Sequence, residues 1–126
     1  MTYDEALEYM ASLNKRGIHP GLEGIKLLCD SLSNPEDGQK YIHVVGTNGK
    51  GSTAEFISEI LRASGLKVGI YQSPAVFSTR EIIRVNGREI SKADYAELTD
   101  IISQKNTFGC TRFEVETVFS FKVHKS

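Results

Sequence analysis

An α/β fold, with a parallel sheet, flanking helices and a small β-hairpin, is predicted for this chain by three observations. Residues 41–45, Tyr-Ile-His-Val-Val, form a short β-branched and aromatic run of the kind found in a strand covered on both faces. That run passes at once into a glycine-rich, lysine-containing turn, GTNGKGST at 46–53, and then into a helix start. A second short strand, KVGIYQ at 67–72, follows the helix, so residues 41–72 read as a βαβ unit with parallel strands and a right-handed crossover. Ligands of such sheets bind beyond the carboxyl ends of the strands. Both the glycine turn and the segment SPAVFS, which follows the second strand, should open onto that crevice.

Two helices are expected before this unit. Thr2 followed by Glu5 is a capping-box signal, and Ala6, Met10 and Leu13 fall on one side of a helix that runs to about Lys15, with Gly17 and Pro20 ending it. Leu22, Ile25, Leu28, Cys29 and Leu32 recur at three- and four-residue spacings and mark a second helix, which stops in the turn-rich SNPEDGQK. After the glycine turn, Phe56, Ile57, Ile60 and Leu61 form an apolar stripe, Arg62 sits near the helix end and Gly65 suits the position just past it. Asn86-Gly87 between two β-prone runs in IIRVNGREI, 82–90, predicts a tight hairpin. Ser91 with Asp94 starts a further helix whose inner face is Tyr95, Leu98, Ile101 and Ile102. The last segment is ambiguous. Phe113, Val115, Thr117, Phe119, Phe121 and Val123 alternate like a strand face, while Phe113, Thr117 and Phe121 also stand four apart like a helix stripe; the alternation favours a strand.

Composition bounds the function classes. The 126 residues, 40% hydrophobic and 25% charged, suit one ordinary globular domain. A formal charge of −1, without a basic stripe, gives no sign of a nucleic-acid partner or a membrane surface. No apolar run approaches the roughly 18 residues that span a bilayer, and MTYDEALEYM is an acidic helix and not a targeting leader, so a cytoplasmic location is expected. Cys29 and Cys110 are isolated, lack zinc-type spacing and read as free buried thiols. His19, His43 and His124 are scattered, and no chemistry is assigned to them.

The glycine turn carries the chemistry. Gly46, Gly49 and Gly51 keep side chains away and admit positive φ, so that backbone N–H groups can converge on phosphate oxygens at the positive end of the following helix. Lys50 would neutralise the β- and γ-phosphates of a nucleotide, and Ser52 and Thr53 offer hydroxyls to the helix cap or to a Mg²⁺ ion. The generic G-x-x-x-x-G-K-[ST] pattern is not met, because Val44 stands where its first glycine should be and Gly51 separates Lys50 from Ser52.

This variant, GTNGKGS, resembles the phosphate loop of the folylpolyglutamate synthase/dihydrofolate synthase family, relatives of the Mur ligases. Two further segments are similar to the same family. YQSPAVFSTREIIRVNGREIS is similar to its SPHLVSVNERIRINGxxIS stretch, which makes Ser73 a Mg²⁺ ligand by resemblance, and TRFEVETVFSF is similar to T-x-F-E-x-x-T-x-x-A-F, which does the same for Glu114. For that last segment the resemblance implies a helix, against the alternation. HPGLEGI is similar to the family's G-L-x-R/G-[VI], so Gly21 and Leu22 are candidates to line the folate pocket, with an ordinary helix N-terminus as the alternative. Ala75, Arg80 and Ile82 replace the family's common His, Asn and Arg.

The resemblance implies an incomplete P-loop-type sheet like the Mur ligase central domain. It also implies ATP and Mg²⁺ as cofactors, with Gly46, Thr47, Asn48, Gly49, Lys50, Gly51, Ser52 and Thr53 holding the nucleotide and Lys50 acting in catalysis. The substrates implied are folate or dihydropteroate and L-glutamate. It covers essentially the whole chain but only about the first third of such an enzyme. Residues 1–126 are therefore expected to be the N-terminal part of an ATP-binding Mur ligase-like domain, truncated and without the C-terminal domain, inactive or nearly so alone. A truncated or frameshifted gene, or an N-terminal piece of a longer protein, would give such a chain. Self-association through an exposed sheet edge is expected to follow. The alternatives are a fragment of a Mur-type peptidoglycan precursor ligase and a non-catalytic nucleotide-binding or interaction module.

Overall fold

The structure is a computed structural model and describes residues 1–16, 21–44, 49–72, 80 and 82–125. The chain is α/β, with five α-helices and one three-stranded antiparallel sheet among the described residues. It divides into two compact units, Met1–Asp37 with Ser91–Ser126, and Gly38–Ile90.

The first unit is helical. Its first helix, α1 (Tyr3–Ser12), starts on the expected box: Thr2 Oγ1 accepts from Glu5 N at 3.1 Å, and Thr2 N donates to Glu5 Oε1 at 2.8 Å. A 3-10 turn, Leu13–Arg16, tightens its end. The second helix, α2 (Glu23–Ser31), begins at Leu22 without a side-chain cap and buries Leu28 and Cys29. Ser91 caps the helix Lys92–Lys105, numbered α4 in chain order, by accepting from Asp94 N at 3.0 Å. That helix buries Tyr95, Ala96, Thr99 and Ile102, whereas Ile101, expected inside, is exposed and Leu98 is half-buried.

The segment after Cys110 is α5 (Arg112–Lys125), a helix and not the strand that alternation favoured. Its start explains why. Thr111 N donates to Glu114 Oε1 at 3.1 Å and Glu114 N donates to Thr111 Oγ1 at 3.3 Å, a second capping box that nucleates the first turn. The buried face is Val115, Val118, Phe119 and Val123, spaced three and four apart, while Phe113 is exposed. Tyr95 sits at the centre of this unit, 5.5 Å from the Tyr3 ring edge-on and 5.4 Å from Phe119. Asn106 ties the end of α4 to α1, donating to the Tyr9 hydroxyl at 2.9 Å and accepting from Cys110 N at 3.2 Å.

The second unit holds α3 (Lys50–Ala63) and the sheet, with β1 (Gly69–Tyr71), β2 (Ile83–Val85) and β3 (Arg88–Glu89) in that order. Helix α3 ends in a Schellman motif: Gly65, at φ 89°, donates to Arg62 O at 2.9 Å, and Leu66 N donates to Leu61 O at 3.2 Å. Asn86 and Gly87, at φ 51° and 80°, both take the left-handed conformation that a two-residue type I′ hairpin requires.

The parallel pairing expected of the βαβ unit is not what the described residues form. β1 pairs antiparallel with β2, Ile70 opposite Arg84, and residues 41–44 lie outside any strand, with Tyr41 and Ile42 56% and 64% exposed. A pattern fit for burial on both faces states what cover the run requires, and a strand forms only where a neighbour supplies the ladder. For β1 that neighbour is the strand brought to it by the hairpin segment. The stripe on α3 follows the same logic, since Phe56 and Ile60 are 71% and 66% exposed.

Candidate nucleotide site

The start of α3 is built from the glycine turn. Gly49 is its N-cap at φ 74° and ψ 6°, a left-handed conformation that a side chain at this position would strain by about 1–2 kcal/mol. Lys50 is the first helical residue, and Thr53 N donates to Gly49 O at 3.0 Å, closing the first turn. Among the described residues no side chain caps this helix, and no acidic residue occupies its first turn, unlike α1 and α4. First-turn N–H groups at a positive helix end of this kind are chemically suited to an anion. Gly51, Ser52 and Thr53 are exposed beside them. Gly49, Lys50, Gly51, Ser52 and Thr53 therefore share one helical turn. Gly46, Thr47 and Asn48 lie outside the described residues.

Glu114 belongs to the helical unit, half-buried in the first turn of α5. Its Oε1 accepts from both the backbone N and the hydroxyl of Thr111, at 3.1 and 3.2 Å. Oε2 takes no part in that cap and lies 3.9 Å from where a Cβ on Gly24 would stand, which places it beside the first turn of α2. A carboxylate is the kind of donor that a cation preferring oxygen ligands takes. Among the described residues no group of three His, Cys, Asp or Glu side chains could cage a metal. The second predicted ligand, Ser73, lies outside the described residues. Gly21, at φ 89°, and the exposed Leu22 form the uncapped start of α2.

Cys29 and Cys110 are buried and neither is in a disulfide. Burial, followed by the neighbouring Glu36, pushes the Cys29 thiol up to about 12. His43 is exposed, and His19 lies outside the described residues.

One cluster escaped sequence reasoning. Arg84 on β2 is paired with Glu55 on α3 and donates to Gln72 Oε1 at 3.1 Å. No local spacing signals it, because Glu55 and Arg84 are joined only by the fold. The one available hint was charge placed on short strands.

Comparison with known proteins gives this geometry a setting. No family model matches the chain. A probable bifunctional folylpolyglutamate synthase/dihydropteroate synthase of Halobacterium salinarum is 42% identical over 95% of this chain and 16% of its own length. The dihydrofolate synthase/folylpolyglutamate synthase of Bacillus subtilis is 35% identical over 94% of this chain and 29% of its own length. Among solved structures, the folylpolyglutamate synthetase of Lactobacillus casei superposes with a TM-score of 0.88 at 32% identity, covering 98% of this chain and 33% of that one. A complex of the same kind of synthase with AMPPCP and folate superposes with a TM-score of 0.81.

Fold and sequence thus define an α/β chain of the Mur ligase-like kind. The chain belongs to the folylpolyglutamate synthase/dihydrofolate synthase family and corresponds to its N-terminal portion. It spans 16% to 29% of the length of the two curated relatives named above.

Proposed function

We propose that this chain supplies the nucleotide-binding N-terminal portion of an ATP-dependent ligase that adds L-glutamate to folate or dihydropteroate, and that alone it binds Mg·ATP with little or no turnover. The observation that carries this reading is the start of α3: a left-handed Gly49, Lys50 at the first helical position and, among the described residues, no side-chain cap on the amide donors. The complex of a related synthase with AMPPCP and folate supports both ligand classes.

In this reading the loop amides and Lys50 hold the β- and γ-phosphates. A carboxylate oxygen of the pterin substrate attacks the γ-phosphorus, the bond to the ADP oxygen breaks, and an acyl phosphate forms. The amine of L-glutamate then attacks the acyl carbon, releases phosphate, loses a proton and leaves an amide. Such chemistry is mainly positioning and charge neutralisation, which pre-aimed donors provide. Mg²⁺, when bound, supplies further neutralisation of the phosphates, and Ser73 and Glu114 are the residues that would hold it. A cytoplasmic setting is part of this proposal. Among the described residues no helix is long and apolar enough to cross a membrane.

Self-association is proposed alongside, supported by the outward-facing Phe56, Ile60 and Leu66. Incorporation of labelled glutamate into dihydropteroate or tetrahydrofolate, run beside an ATP titration, tests the main reading. Nucleotide binding without incorporation is the expected result. Sustained incorporation would overturn the dependence on further chain, and absence of nucleotide binding would overturn the site.

A further inference from the structure

Helix α3 turns a small polar residue inward and its largest apolar residues outward. Ser58 is 3% exposed, with Ala54 and Leu61 half-buried on the same face, whereas Phe56, Ile60 and Ala63, spaced four and three apart along one row, are exposed. Leu66, just past the helix end, is exposed as well. The unit Gly38–Ile90 repeats the pattern at Tyr41 and Ile42, exposed members of a run whose composition suits burial on both faces. Apolar surface grouped in this way marks a contact with another body and not a solvent face.

The superposed Lactobacillus casei synthetase identifies that body. It matches 98% of this chain with a TM-score of 0.88, yet the matched part is only 33% of its own chain, so about two thirds of that chain has no counterpart here. A second copy of the present chain would bring the same third again. We propose that the row Phe56, Ile60 and Ala63 is a docking surface for the portion of a synthase chain that follows the matched third, and that these 126 residues, present as a separate polypeptide, recruit that portion through α3. The self-association proposed above is then what the same face does when that partner is missing. This inference rests on the reading that ligation needs further chain, and goes beyond it by naming the face that receives that chain. Its readouts involve no nucleotide, so a failed ATP titration would remove the site reading and leave the docking surface standing.

The test uses the part of the Lactobacillus casei synthetase that follows its matched third, both co-expressed with this chain as a separate polypeptide and joined to its end. One-to-one capture by a tag on this chain is expected. Phe56→Asp and Ile60→Asp should each weaken capture at least about tenfold, because the contact would bury a carboxylate among apolar groups, while the melt of the isolated chain stays unchanged. The synthetase's own matched third serves as the control. Capture by that control and not by this chain, or undiminished capture by both Asp variants, would overturn the proposal. In the joined chain, Phe56→Cys should label at least about tenfold more slowly than in the isolated chain, whereas Arg88→Cys on the exposed β3 should keep its rate. Equal rates at position 56 would overturn the proposal whether or not the separate chains associate. Light scattering adds a third readout: a joined chain that self-associates as strongly as the isolated one would make a second copy the occupant of this face and refute the assignment.

Discussion

The helical unit and the unit Gly38–Ile90 treat their apolar residues in opposite ways. In the first, Tyr95, Phe119, Met10 and Ile102 are fully enclosed, and α1, α4 and α5 each begin on a side-chain cap. In the second, Phe56 and Ile60 of the α3 stripe are exposed, residues 41–44 are in no strand, and among the described residues no side chain caps the glycine start of α3. The difference teaches that a hydrophobic pattern is a requirement for cover, which the helical unit meets from its own helices. An uncapped helix start likewise leaves amide donors that no described side chain meets.

Core truncation probes this contrast with the largest effect. Phe119→Ala should destabilise the chain by ~3–5 kcal/mol in a denaturant melt, since the ring is fully buried and packs tilted against Tyr95. A small loss would mean that the helical core is looser than its packing indicates.

Cys29 gives the next largest effect, read as chemistry. Its thiol is pushed up to about 12, from an ordinary 9.0, by burial and then by Glu36. The folded state thus holds the proton where the unfolded chain would release it. This contribution to stability is complete below pH 9.0 and lost as pH rises toward 12. Alkylation at pH 8 should be at least about a hundredfold slower in the folded chain than after denaturation. Rapid labelling of the native chain would contradict a closed helical core.

Thr2→Ala removes a cap and should cost about 1 kcal/mol. The backbone N–H of Thr2, and then its hydroxyl, hold the Glu5 carboxyl below its ordinary 4.5. The ionised form is favoured on folding, so its contribution is present above pH 4.5 and lost as pH falls through the lowered value. Acid melts of Thr2→Ala should show a shallower loss over that range than wild type.

The smallest stability change is expected at Phe56→Ala, within about 0.5 kcal/mol, because the ring is exposed. Light scattering should nonetheless show weaker self-association with increasing concentration. A destabilisation comparable to Phe119→Ala would erase the distinction between the two units.

Local chemistry made much of this legible. The box at Thr2 and Glu5, the cap at Ser91, the Asn86-Gly87 turn and Gly65 beyond α3 each depend on residues within a few positions of one another. The α5 segment was also legible through Thr111 and Glu114, but the alternation of its apolar residues outweighed that cap. Partners distant in sequence were not legible. The pairing of β1 with β2 and the bond from Arg84 to Glu55 depend on how the chain closes on itself. Of the candidate site, the left-handed Gly49 and the helix start at Lys50 lie where the glycine pattern puts them, while the capping of α5 by one Glu114 oxygen needed the fold.

The most direct test of the nucleotide reading is calorimetric titration of Mg·ATP into this chain beside its Lys50→Ala variant. Saturable binding by the wild type that disappears with the lysine is the predicted result. Equal affinity in both would contradict the assignment of residues 46–53 as the phosphate site, and no binding by either would mean that the helix start does not hold nucleotide in this chain.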